Sequence, residues 1–148
     1  FRSGGAPKDM NLYQAQKTLD NAAGAVRDGG VIVLVARCRE GLGNAVFEEW
    51  MTGMRRPHDL VERIRREFVL GGHKAAAIAA LLERVDLHLV SELPGELVTA
   101  MHMTPFRDVG AAVAGALARV GPGGRVLVVP HGSRVTARRR HRLKGRTG

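Results

Sequence analysis

The run VIVLVA at 31–36 constrains this chain more than any other feature: six consecutive apolar residues, four of them β-branched. A strand with no polar side cannot lie half in water, so it calls for helices on both faces, the packing of parallel α/β sheets. The segment before it, NLYQAQKTLDNAAGAVRDGG, supplies one such helix. Asn11 is placed to cap its first turn, Leu12, Ala15, Leu19, Ala22, Ala23 and Val26 recur at helical spacing, and Gly29 with Gly30 ends it.

The pattern then repeats. After the strand, RCREGLG at 37–43 carries Gly41 and Gly43 for a tight turn, and Asn44 is placed to cap a short helix with Val46, Phe47 and Trp50. PHDLVERIRREFVL sets Leu60, Ile64 and Phe68 on one helical face. GGHKAAAIAALLERV opens an alanine-rich helix suited to close packing against the sheet. VDLHLVS at 85–91 alternates as a second strand; DVGAAVAGALARVG reads as a helix, and RVLVVP at 125–130, behind a Pro-Gly-Gly turn, as a third strand. Three strands are few for a layered domain, so VTAMHM at 98–103 adds a short element or a further piece of protein completes the fold. The expected architecture is a compact three-layer α/β sandwich around a small, mostly parallel sheet.

Charge and length set the function classes. The chain has 148 residues, the size of one domain, and a formal charge of +9. Seven of its 23 basic residues (Arg134, Arg138, Arg139, Arg140, Arg142, Lys144 and Arg146) follow Val129 with no acid among them, which leaves 16 bases against 14 acids in the body. A basic face across the domain is therefore excluded, and the aromatic residues are not interleaved with bases as a stacking platform requires. The expected division is a domain at 1–132 and a basic, disordered tail at 133–148. The single Cys38 has no disulfide partner and no apolar run approaches the roughly 20 residues of a spanning helix, so a reduced, cytoplasmic setting without a membrane is expected. With Phe1 first and no signal-peptide pattern, the chain is expected to begin inside a longer protein.

Ligands of open parallel sheets gather beyond the carboxyl ends of the strands, here 36–44, 91–94 and 130–133. RCREGLG has neither dinucleotide nor P-loop spacing and reads first as turn and helix start. In the first helix, Gln14 and Lys17 lie three residues apart beside Tyr13, so an amide, an ammonium and a hydroxyl can grip one carboxylate. An ordinary polar helix face would look the same. His73 and Lys74 open a helix behind two glycines, which fits either an anion site or a solvated helix start. No HExxH motif or Cys/His cluster suggests a metal site, and Cys38 lacks a CxxC partner or a neighbouring histidine.

Four strings in order, GGAPKDMNLYQAQK (4–17), CREGLGNAVFEEWM (38–51), FVLGGHKAA (68–76) and LVSELP (89–94), resemble the carboxyl-terminal domain of the nickel-dependent lactate racemase family over about 1–132. The resemblance implies one half of a two-domain enzyme that racemises lactate or another small 2-hydroxy acid in the cleft between its domains. It further implies a nickel-pincer nucleotide as cofactor and reversible hydride transfer through a keto intermediate. Tyr13, Gln14 and Lys17 match substrate-side residues of that cleft, and His73 and Lys74 match a GGHK motif lining the interdomain region. The family's acid-base histidines, cofactor lysine and nickel-binding histidine belong to the amino-terminal domain, so no catalytic or metal residue and no bound cofactor is expected in this chain, which should be silent by itself. The carboxyl end departs from the family, keeping PHG at 130–132 and then turning basic. Two other readings stand beside this one: a self-contained module binding a small anion, which should close its own pocket, and nucleic-acid binding through the tail, which is not favoured.

Overall fold

Asn11 accepts a hydrogen bond from the N–H of Gln14 at 2.9 Å and thereby starts α1, Leu12–Ala23. The structure, a computed structural model, describes residues 1–7 and 9–139. A turn with Gly29 at φ +77° leads into β1, Val31–Val35. Asn44 caps α2, Ala45–Gly53, through the N–H of Phe47. Then come α3, Pro57–Arg66, with proline at its start, and α4, Gly72–Leu82. β2, Asp86–Val90, α5, Gly95–Ala100, β3, Thr104–Phe106, and α6, Val109–Val120, complete the order.

The sheet runs β1-β2-β3 with both pairings parallel, Val31 opposite Asp86 and His88 opposite Thr104. One face presents Ile32, Leu34, Leu87 and Leu89 to a core that also takes Leu12, Leu19, Phe47, Trp50, Ile78 and Val98. α6 lies across the other face, where His88 packs on Phe106 with ring centres 5.0 Å apart. Helices thus cover both faces of a small parallel sheet, the layered α/β sandwich that VIVLVA calls for.

Three local expectations are corrected. RVLVVP at 125–130 forms no strand; the third strand is Thr104–Phe106, directly after the 98–103 segment, most of which is helical or turn. Phe68 leaves the apolar face of α3, which stops at Arg66, and stands 71% exposed. Ala75, Ala76 and Ala79 of α4 are buried while Ala77 and Ala80 are exposed, and the helix packs most closely against α1, α2 and α3 instead of the strands. A helix with small side chains lets neighbouring backbones approach, whichever element they belong to. Of the segment expected as a basic tail, the N–H groups of Ala137 and Arg139 donate to the carbonyls of Asn21 and Gly24 on the outside of α1. Residues 140–148 lie outside the described residues.

Candidate functional site

The start of α1 is fixed from below by the glycine turn after β1. The N–H groups of Leu12 and Tyr13, which an isolated helix would leave free, donate to the carbonyls of Gly41 and Leu42. Gly43 at φ +87° lies so close to Asn11 that a Cβ there would overlap the cap side chain. The RCREGLG loop is therefore a scaffold for α1. Its backbone carbonyls take the donors that an anion would otherwise use.

The start of α4 is fixed in the same way. A Cβ on Gly71 would press on the Asn44 cap, and one on Gly72 would come within 2.7 Å of the Trp50 ring. This close seating carries Lys74 to α1: its Nζ donates to the carbonyl oxygen of Tyr13 at 3.0 Å and stands 3.9 Å from the centre of the Tyr13 ring. Phe47 meets the same ring edge-on at 5.6 Å. His73 turns back on its own helix start, its Nδ1 accepting from the N–H of Gly71 at 3.0 Å, and its ring lies beside Phe68.

Tyr13, Lys17 and Lys74 are thus gathered on one open surface, with Gln14 beside them on the exposed side of α1. Burial lowers the pKa of Lys74; Asp20 opposes this and Lys17 adds to it. The carboxylate of Asp20 accepts from Gln16 Nε2 at 2.7 Å. Sequence reading passed over Asp20, although its three-residue spacing from Lys17 puts both on adjacent turns. Phe47 was also missed as the backing of Tyr13, because that contact joins separate helices.

The strand ends tie themselves together. Arg39 Nε lies 3.2 Å from both oxygens of Glu92, Glu92 N–H donates to the Arg37 carbonyl, and Arg107 donates to the Ser91 carbonyl. Cys38 beneath them is buried, and burial with Asp9 nearby pushes its thiol up to about 12, so it is held as a thiol and not a nucleophile. Cavities of about 340 Å³ and 150 Å³ lie at the opposite edge, lined by Arg84 with Gly24 and Arg139, and by Arg84 with Gly29 and Arg119. Neither is lined by Tyr13, Gln14, Lys17, His73 or Lys74. The candidate site is a face, flanked by Phe68 and Leu70, each 71% exposed on the segment leading into α4.

Comparison with known proteins agrees with the fold. The family model for the lactate racemase C-terminal domain matches residues 2–137. A lactate racemase from Thermoanaerobacterium thermosaccharolyticum is 32% identical over 141 residues, covering 92% of this chain and 33% of that protein. One from Lactiplantibacillus plantarum is 30% identical over 135 residues, covering 88% of this chain and 32% of that protein. The solved lactate racemase apoprotein from T. thermosaccharolyticum superposes with a TM-score of 0.87 at 31% identity, covering 93% of this chain and 34% of that one. The chain spans about a third of the length of these relatives. The chain therefore belongs to the lactate racemase C-terminal domain family.

Proposed function

We propose that this chain, with its body at 1–132, is the substrate-cleft domain of a nickel-pincer-nucleotide-dependent racemase or epimerase of lactate or a related 2-hydroxy acid, inactive without its amino-terminal partner domain. One observation carries the reading: Tyr13 and Lys17 on α1 and Lys74 on α4 converge on an open face in a chain of this family. When bound in the complete enzyme, the cofactor supplies the acceptor for reversible hydride transfer.

The donors among the described residues do not suit a nickel ion. Cys38 is kept protonated, His73 Nδ1 is taken by Gly71, and His58 Nδ1 pairs with Glu83 at 2.7 Å. Among the described residues, no group of three His, Cys, Asp or Glu side chains could hold a metal. In this reading the cofactor is carried by the amino-terminal partner domain.

What this chain contributes is substrate binding. The Lys17 ammonium balances a carboxylate, Gln14 donates an amide N–H to it, and Tyr13, clamped by Lys74 and Phe47, offers a hydroxyl from a fixed ring. These bonds strengthen when a second domain covers the face and excludes water. His73 borders the same face, beside Phe68.

The test pairs the chain with the amino-terminal two-thirds of the T. thermosaccharolyticum relative, loaded with cofactor, and follows interconversion of lactate enantiomers. Activity from the mixture but from neither part supports the reading. Interconversion by the chain alone with cofactor, above the no-protein background, removes the claim that it is silent. Unchanged lactate affinity in Lys17→Ala and Gln14→Ala removes both residues from the site.

A further inference from the structure

Tyr13, Lys17 and Asp20 follow one another at spacings of four and three, so they lie in a single stripe along α1, and Lys74 of α4 meets that stripe at Tyr13. Lys17 and Asp20 are exposed. The Asp20 carboxylate is held in place: its Oδ1 accepts from Nε2 of Gln16 at 2.7 Å, and Gln16 is itself buried. Among the described residues, neither Asp20 nor Lys17 nor Lys74 belongs to a salt bridge, whereas Arg39, Arg56, Arg84 and Arg119 each do.

Three charges without a contact ion therefore act on whatever the face receives. At Lys74 both of the others are felt, Asp20 favouring the charged form and Lys17 opposing it. Two ammonium groups against one carboxylate leave the face a single net positive charge. One ligand carboxylate balances that charge; a second would meet Asp20 with nothing left to offset it. The repulsion grows when a covering domain excludes water.

We propose that Asp20 is a specificity-determining residue of this face, which disfavours ligands carrying a second negative charge and so selects 2-hydroxy monocarboxylates over 2-hydroxy dicarboxylates. The inference rests on the substrate reading above and adds to it a residue that acts without touching the substrate. A structural role does not require the charge, because an asparagine side-chain oxygen would accept the same bond from Gln16.

The test compares the chain with its Asp20→Asn and Asp20→Glu variants, titrated by NMR with lactate and with malate at low and at physiological salt. Asp20→Asn keeps an acceptor for Gln16, and Asp20→Glu keeps the charge. In Asp20→Asn the affinity for malate should rise by at least about threefold more than that for lactate, the difference should shrink with added salt, and Asp20→Glu should retain the parent's preference. Equal gains for both anions, or an Asp20→Glu variant that behaves like Asp20→Asn, overturn the selectivity while leaving the substrate reading in place. Without ligand, the pKa of Lys74 should fall further in Asp20→Asn, since the opposing carboxylate is gone. An unchanged value means that Asp20 does not act on the ammonium pair and overturns the proposal whether or not lactate binds. If that pKa falls but neither anion binds to any of the three chains, the substrate reading fails and the selectivity falls with it.

Discussion

Lys74 holds Tyr13 by two contacts of different kind: its Nζ donates to the Tyr13 carbonyl at 3.0 Å while lying 3.9 Å from the centre of the same residue's ring. A cation seated on both the main chain and the side chain of one residue fixes α1 against α4 at the point where Gln14 and Lys17 project. Removing the ammonium in Lys74→Met keeps the apolar stem and should cost about 1 kcal/mol of stability. Urea unfolding measures it; an unchanged midpoint and slope would show the clamp to be energetically empty.

Ligand binding should reach Lys74 through charge. A carboxylate bound at Lys17 offsets the repulsion between the two ammonium groups, so the lowered pKa of Lys74 should rise when lactate is added. NMR titration of the lysine side chains reads this directly. Lys17→Ala should itself raise the Lys74 pKa and weaken lactate binding by about 10- to 100-fold, the worth of one charge-assisted hydrogen bond.

Gly72 seats α4 against a buried indole. Gly72→Ala would put a methyl group within 2.7 Å of the Trp50 ring, which is 2% exposed and has little room to retreat. Destabilisation of about 1–3 kcal/mol is expected from overpacking. Because the shift moves the start of α4, the Lys74 resonances should change as well. A neutral substitution would mean that the helix start is looser than its contacts indicate.

Cys38 gives a pH signature of opposite sign to that of Lys74. Its folded pKa of about 12 lies above the ordinary value of 9.0, so its contribution to stability is complete below pH 9 and is lost as pH rises toward 12. Lys74, with a folded pKa below 10.5, adds stability as pH rises between its lowered value and 10.5. Comparing Cys38→Ala and Lys74→Met with the parent chain across alkaline pH should separate the two slopes. At pH 8 the native thiol should react with a disulfide reagent about two orders of magnitude more slowly than in the unfolded chain. Equal rates would contradict its burial.

The sequence by itself determined the local machinery. Asn11 and Asn44 announce their helices because a cap is a bond between residues three apart, and VIVLVA announces a covered strand because its lack of a polar side is a local property. The same reasoning read RVLVVP as the third strand, and there tertiary structure decided otherwise. Strand propensity becomes a strand only where a neighbour offers a free edge. The edge of β2 is taken by Thr104–Phe106, and Phe1–Ser3 stands between β1 and Val129. Lys74 and Tyr13 make the point from the other side: each was singled out in its own motif, but they lie 61 residues apart. Only the glycine-permitted approach of α4 to Trp50 and Asn44 puts the ammonium of one on the ring of the other. Caps and periodicity are written within a few neighbouring residues; a clamp between two helices depends on how closely the chain lets their backbones meet.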